Sequence, residues 1–200
     1  MGGNILVLSG PSGCGKSSVV SEALKRFDDI YFSISTTTRP KRPHEKDGVD
    51  YYFISKEQFV EEIEEGCFLE WAKVHDNYYG TSLRPIEEAL EAGKLVLFDI
   101  DVQGHAIVRA KYPRITTSLF MTTPSEEILR ERLVHRGTDP AEVIDRRLEN
   151  AREEMKRMEE YDFLLINDRF EETLERFLSI VQTARLKHSL DDLERFERSW

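Results

Sequence analysis

At 200 residues the chain is long enough for one domain of ordinary size, or one carrying a small inserted lobe, but not for two independent cores. Its 28 Lys and Arg stand against 38 Asp and Glu, a net charge of −10 that disfavours a broad basic face for nucleic acid and requires any bound anion to be held locally. The longest uncharged apolar stretches, Ile5 to Leu8 and Leu95 to Phe98, are too short to span a bilayer, no secretory pattern opens the sequence, and two cysteines, Cys14 and Cys67, suit a reducing compartment, so a cytoplasmic protein without membrane partners is expected.

In chain order, Asn4 to Ser9 reads as a buried strand that turns at Gly10 into a glycine-rich loop, and Val19, Val20, Ala23, Leu24 and Phe27 follow at helical spacing. Residues 31 to 82 read differently. Tyr31 to Ser35 is strand-like, a loop carries Pro40, Pro43 and Gly48, and Tyr51 to Ile54 is again strand-like. An acidic helix follows over Lys56 to Glu65, with Phe59, Val60 and Ile63 facing inward, and then strands at Cys67 to Val74 and Tyr78 to Thr81. This segment, about residues 33–82, is expected to form a small mixed lobe inserted after the first helix.

Buried-strand runs return at Lys94 to Ile100, Thr117 to Met121 and Phe163 to Asn167, separated by helical text. The pattern predicts an α/β fold whose parallel sheet is covered by helices on both faces. The core would then take about residues 1–32, 83–123 and 150–189. Helix starts are predicted at Ser55, Thr123 and Asp139, the last two with proline at the first helical position, and stops at Gly66, Gly93 and Gly137. The helical pair around Gly137, about residues 124–149, carries Arg130, Arg132, Arg136, Arg146 and Arg147 and is expected to turn some of these cations inward. Met155 and Met158 read as core filler. The tail 190–200 places Leu190, Leu193 and Phe196 at helical spacing, which fits packing on the domain or self-association equally. The five histidines, His44, His75, His105, His135 and His188, lack metal-ligand spacing with cysteines or one another.

Gly10-Pro11-Ser12-Gly13-Cys14-Gly15-Lys16-Ser17 fits the phosphate-loop pattern G-x-x-x-x-G-K-[ST] in full, between a predicted strand and a predicted helix. Glycines free the loop amides to point at phosphate oxygens, Lys16 reaches the β and γ phosphates, and Ser17 offers its hydroxyl to Mg²⁺. A nucleoside triphosphate is the expected ligand. The Asn-Lys-x-Asp guanine motif of switch GTPases is absent and hydrolytic motors are usually larger, so transfer to a small acceptor, lying where the inserted lobe faces the loop, is the better expectation. Asp99 and Asp101 stand one residue apart at the end of a strand, which predicts that both side chains share one face at its C-terminal end, where ligands bind in such sheets.

Seven ordered blocks give a more specific signal. They are Gly10 to Ser17; Ser33 to Arg39 with Arg42, Glu45, Gly48 and Tyr51; Phe68 to Ala72; Asn77 to Gly80; Leu97 to Gly104; Arg136 to Thr138; and Ile166 to Asp168. On these, over nearly its whole length, the sequence resembles the guanylate kinase family. The resemblance implies a P-loop nucleoside monophosphate kinase fold and transfer of the ATP γ-phosphoryl group to GMP, and to dGMP, within purine nucleotide metabolism and GMP recycling. It also implies Mg²⁺ as the cofactor.

By resemblance, ATP would lie on residues 10–17 with Ser18, Arg132 and Asn167, the last at the adenine. Ser35, Arg39, Arg42, Tyr51 and Tyr79 would hold the GMP phosphate; Glu70, Thr81 and Asp101 would hold the base. Some members carry serine in place of Thr81, which keeps the hydroxyl. Lys16, Arg39, Arg136 and Arg147 are the implied catalytic cations, and Ser17 and Asp99 the candidates near the metal. Physical chemistry agrees with these roles. Arg39 and Arg42, with Lys41 and Lys46, make the densest basic patch of the N-terminal half, and guanidinium forks suit a phosphate dianion. The Glu70 carboxylate offers only acceptors, which match the N1–H and N2 amino donors of guanine and repel the N1 acceptor of adenine. Closure of the lobe and the helical lid over both substrates is expected. Two other readings stay open: a guanylate-kinase-like binding module without catalysis, against which the intact loop argues, and a monophosphate kinase of other base preference, against which Glu70, Thr81 and Asp101 argue.

Overall fold

β1 (Asn4–Ser9) leads through the glycine-rich loop into α1 (Lys16–Arg26) and the short strand β2 (Ile30–Phe32). Next come β3 (Thr36–Thr37), β4 (Tyr52–Phe53), α2 (Lys56–Glu64), β5 (Phe68–Val74) and β6 (Asn77–Ser82). The chain continues through α3 (Leu83–Glu91), β7 (Leu95–Asp99), α4 (Val102–Lys111) and β8 (Thr116–Thr122) to the helical pair α5 (Glu126–His135) and α6 (Ala141–Met155). It ends with β9 (Phe163–Ile166), α7 (Phe170–Ala184) and α8 (Leu190–Glu197). This computed structural model describes residues 2–43, 45–74, 76–137 and 139–200, and for Val74 and Asp191 the backbone alone. His44, His75 and Thr138, which the sequence reading included, lie outside the described residues.

Five parallel strands form one sheet in the order β2-β7-β1-β8-β9, and the second sheet runs β4-β3-β6-β5 with parallel and antiparallel pairs. The central strand explains why β1 reads as an unbroken apolar run. Ile5 and Val7 pack with Ile86, Val96, Phe98 and Val108 on one face, while Leu6 and Leu8 pack with Val19, Leu119, Met121 and Phe177 on the other. Alternate residues point to opposite faces, so a strand covered on both sides must be apolar at every position. All four residues are fully buried, each worth about 1.5–3 kcal/mol by burial, and they anchor the start of the loop.

Several expectations shift by a few residues. The strand at Tyr31 to Ser35 covers Ile30–Phe32, and it pairs with β7 at the edge of the parallel sheet instead of opening the inserted segment. In α2, Phe59 is buried and stacks on Phe68 and Tyr78, whereas Val60 is exposed, because the next position on a helix turns 100° away. Ser55 caps α2 by accepting from the Gln58 amide at 3.0 Å. α5 starts two residues later than expected, with Ser125 as its cap, and the cap of α6 is Pro140, which has no side-chain oxygen to contribute; Asp139 pairs with Arg147 instead. Gly66, Gly93 and Gly137 have φ of 70°, 73° and 66°, the left-handed stop expected after each helix. Met155 packs against Val102, Phe120 and Tyr161, but Met158 sits in a 3-10 turn after α6 and is exposed.

Candidate nucleotide site

The glycine-rich loop leaves β1 at the C-terminal edge of the parallel sheet. Gly10 has φ 141°, and a Cβ there would run into the carbonyl oxygen of Met121 on the neighbouring strand; at Gly15, φ 107°, a Cβ would run into the Asn167 side-chain amide. Only glycine fits both the conformation and the space. Lys16, at the first position of α1, folds back across the loop, donating to the carbonyls of Gly10 at 2.6 Å and Pro11 at 3.3 Å, with the Asp99 carboxylate 3.8 Å away. Burial pushes the Asp99 carboxyl above its usual range, and the neighbouring Lys16 charge opposes that shift. Cys14 is buried, and its carbonyl accepts from Asn167 Nδ2 at 2.7 Å and Arg132 Nη1 at 3.3 Å. Ser12, Ser17 and Ser18 are exposed at the loop and the start of α1, while Pro11 is buried beneath it.

Asp99 and Asp101 do not share a strand face. β7 ends at Asp99, and Asp101 is the N-cap of α4, where its Oδ1 accepts from the amides of Gln103 at 2.9 Å and Gly104 at 2.8 Å. Asp101 is exposed beyond the end of the sheet, its orientation set by capping and not by strand period.

On the second sheet the strand register puts Glu70 of β5 opposite Thr81 of β6, and the Thr81 hydroxyl donates to Glu70 Oε1 at 2.5 Å. Arg39, just beyond β3, is braced on several sides. It donates to both oxygens of Glu45, at 2.8 and 3.0 Å, and to the Pro40 carbonyl, while its guanidinium lies 5.5 Å from the Tyr51 ring centre and 5.8 Å from that of Phe53. Glu45, almost buried, also accepts from the Arg42 amide at 2.8 Å. The Arg39 hydrogen bonds and that amide hold its carboxyl down at about 2, and Glu45 in turn raises Arg39 above its usual value. Tyr79 packs edge-on to Tyr51 at 6.1 Å. Ser35 is half-buried, its carbonyl accepting from Tyr52, and the Arg42 side chain is exposed. The sequence does not show the clamp by Glu45, although the residue lies inside a matched block; five residues separate it from Arg39, and no periodicity connects them.

The helical pair turns only some of its cations inward. Arg132 reaches the carbonyls of Cys14 and Asn167, and Arg147 Nη1 donates to Ser12 Oγ at 2.6 Å. Arg130 faces outward, paired with Asp145, and Arg146 is exposed. Arg136 is exposed at the C-cap of α5 and is not brought to the loop. Asn167 turns its amide to the Cys14 carbonyl and its backbone to Thr122, so it braces the loop from behind.

A family model described as guanylate kinase matches residues 2–184. A guanylate kinase of Wolinella succinogenes is 52% identical over 198 residues, 99% of this chain and 92% of that protein. The chain belongs to the guanylate kinase family. A guanylate kinase of Sulfurimonas denitrificans is 50% identical over 99% of this chain and 96% of its own length. Among solved structures, that of guanylate kinase from Anaplasma phagocytophilum superposes with a TM-score of 0.71 at 32% identity, over 96% of this chain and 93% of that one.

The residues present also fit the divalent cation that guanylate kinases imply. Ser17 and Asp99 line one cleft of ≈ 490 Å³, and both offer oxygen, the ligand type that Mg²⁺ prefers. Among the described residues no three or more His, Cys, Asp or Glu side chains form a metal cluster, so most ligands would come from phosphates and water, as is usual for Mg²⁺ beside a nucleotide.

Proposed function

We infer that this chain is an ATP:GMP phosphotransferase, moving the ATP γ-phosphoryl group to a phosphate oxygen of GMP to give ADP and GDP. The observation that carries the reading is an intact phosphate loop, with Lys16 and Ser17 in place, on a chain that matches the family model from residue 2 to 184. A binding module has no use for a lysine held at 14% exposure between two loop carbonyls and the half-buried Asp99 carboxylate.

In this reading the parallel sheet carries the donor, the second sheet with α2 (about residues 33–82) carries the acceptor, and α5 and the first part of α6 (about 124–149) act as the lid. Arg39, held flat by Glu45 and the Tyr51 ring, meets the GMP phosphate together with Arg42, Ser35, Tyr51 and Tyr79. The guanine N1–H and N2 amino groups replace Thr81 as donors to Glu70, which frees the Thr81 hydroxyl to donate to O6; Asp101 completes the donor edge. Adenine would leave Glu70 facing an acceptor, a mismatch that a buried polar site penalises strongly.

The acceptor is already anionic, so the chain has no proton to abstract before transfer; its task is to offset repulsion between two anions and to align them. Lys16, Arg39 and Arg147, with Arg132 bracing the loop, supply that charge, and Arg136 joins only if the lid closes further. Ser17 and Asp99 would hold Mg²⁺, which supplies electrostatic shielding of the transferred phosphoryl oxygens. Closure of lobe and lid excludes water, which would otherwise take the phosphoryl group. We also propose a cytoplasmic location, which the free cysteines Cys14 and Cys67 fit; no helix among the described residues is long and apolar enough to cross a membrane.

The test is ADP formation from ATP and Mg²⁺ with GMP, dGMP, AMP, CMP or UMP supplied separately, against a no-acceptor control. Turnover with guanine nucleotides alone is expected. Turnover with another base would overturn the base readout, and GMP binding without turnover would move the chain to the binding-module class.

A further inference from the structure

Three consecutive threonines, Thr36-Thr37-Thr38, open the acceptor segment, and none of them belongs to the set that meets GMP in the proposed reading. Their strand is too short to place itself: β3 has two residues, and its antiparallel ladder to β6 consists of the pairs Thr36 with Gly80 and Thr37 with Tyr79. Side-chain hydroxyls extend that ladder at both ends. At one end Thr36 Oγ1 and Ser82 Oγ lie 2.7 Å apart, a hydrogen bond in which either can donate. At the other, Thr37 Oγ1 donates to the Tyr78 carbonyl at 2.9 Å and Thr38 Oγ1 accepts from the Tyr78 amide at 2.9 Å. Thr36 and Thr37 are buried, so their bonds are shielded from competing water. Thr37 Oγ1 also accepts from the Arg39 amide at 3.2 Å, which ties the backbone of that arginine to β6. Ser82 stands at the N-cap of α3, yet its side chain makes no capping bond; one of the two amides that such an oxygen ordinarily serves would belong to Pro85, which has no N–H. The hydroxyl goes to Thr36 instead, and α3 packs through the buried Ile86 and Ala89 with Ile5 and Val96 of the core.

We propose that Thr36, Thr37 and Thr38 are positioning residues for GMP, their hydroxyls fixing the span between the groups that hold its phosphate and the groups that hold its base. The two anchor points on β6, Tyr78 and Ser82, bracket Tyr79 and Thr81, and the threonines are themselves bracketed by Ser35 and Arg39. A slip of β3 along β6 would move Arg39 relative to the pair of Glu70 and Thr81, and one nucleotide could then not satisfy both ends at once. The threonines act through these neighbours and do not touch the reacting atoms. The proposal rests on the reading of the second sheet as the GMP site.

Thr37 allows the hydroxyl to be separated from the packing. Thr37→Val keeps the volume and removes the hydroxyl, whereas Thr37→Ser keeps the hydroxyl and removes a buried methyl. KM for GMP is expected to follow the hydroxyl: about tenfold higher in Thr37→Val, within about twofold of the parent in Thr37→Ser, and with KM for ATP within about twofold in both. The serine variant should nonetheless melt below the parent, because buried volume has gone. A KM for GMP that rose in both variants in step with the loss of melting temperature would show that Thr37 only supports the fold, and would overturn the proposal. So would a KM for GMP within twofold of the parent in Thr37→Val. Ser82→Ala tests the other end of the ladder, where the side chain is less buried, and carries the test alone if Thr37→Val does not fold: KM for GMP should rise about threefold or more, and a parental value counts against the proposal. Arg39→Met separates the two layers, since a parental KM for GMP in that variant would sink the acceptor-sheet reading itself, whatever the threonines do.

Discussion

The two halves of the site are built by different means. On the donor side, the loop is shaped by backbone: Gly10 and Gly15 allow it, the fully buried β1 anchors it, and Asn167 and Arg132 tie its Cys14 carbonyl from behind. On the acceptor side the strands β3 and β4 are two residues each, and the geometry comes from side-chain pairs, Arg39 with Glu45 and Glu70 with Thr81. Backbone amides bind phosphate without regard to the base, whereas side-chain acceptors and donors read the base itself. In the proposed reading, generic affinity therefore resides in the core, and specificity resides on a small sheet where one substitution can alter it.

That contrast can be broken at several points. The largest effect is expected from Lys16→Met, which should cut turnover by roughly 10³-fold while GMP binding, measured by calorimetry, persists; unchanged turnover would show that the donor side does not work through this lysine. Glu70→Ala should come next, lowering kcat/KM for GMP by about 10²-fold with the KM for ATP nearly unchanged, since Thr81 loses its partner and the base loses its acceptor.

Glu45→Gln should raise the KM for GMP by about tenfold, because Arg39 loses a charged clamp at both terminal nitrogens. The same variant sharpens the comparison through pH. A carboxyl held down at about 2 against an ordinary 4.5 stabilises the fold fully above the ordinary value and loses that contribution as pH falls towards 2. Acid unfolding should therefore find the parent more stable than Glu45→Gln at pH 6, with the gap closing below about pH 4; a gap that widened on acidification would refute the clamp. The smallest effect belongs to Ser189→Ala, which removes the capping box of α8 formed with Asp192. It should cost about 1 kcal/mol or less in thermal unfolding and leave turnover unchanged, because α8 touches neither half of the site.

Much of this architecture was legible before any coordinates. The phosphate loop is a contiguous motif, and its neighbours β1 and α1 carry their own periodicities, so strand, loop and helix could be placed nearly to the residue. The acceptor side was legible only through resemblance: Arg39, Glu70 and Thr81 are far apart in the chain, and nothing in their spacing says that they converge. Elsewhere local rules reach one step too far. Strand period predicts a shared face for Asp99 and Asp101, but at Asp101 the chain has already turned into a helix cap, and the sequence points to Thr123 as a cap where Ser125 does the capping. The outward positions of Val60, Met158 and Arg136 follow from where each element meets its neighbours, which local spacing does not encode.

Composition, apolar period and the loop motif were enough to establish a parallel α/β fold and a phosphate ligand, because those properties depend on residues close in sequence and on burial that repeats every two or three to four positions. Which arginines face the loop, and that Glu45 holds Arg39, depended on long-range packing. Such contacts join residues whose separation along the chain carries no signal, and only the folded arrangement of sheets and helices brings them together.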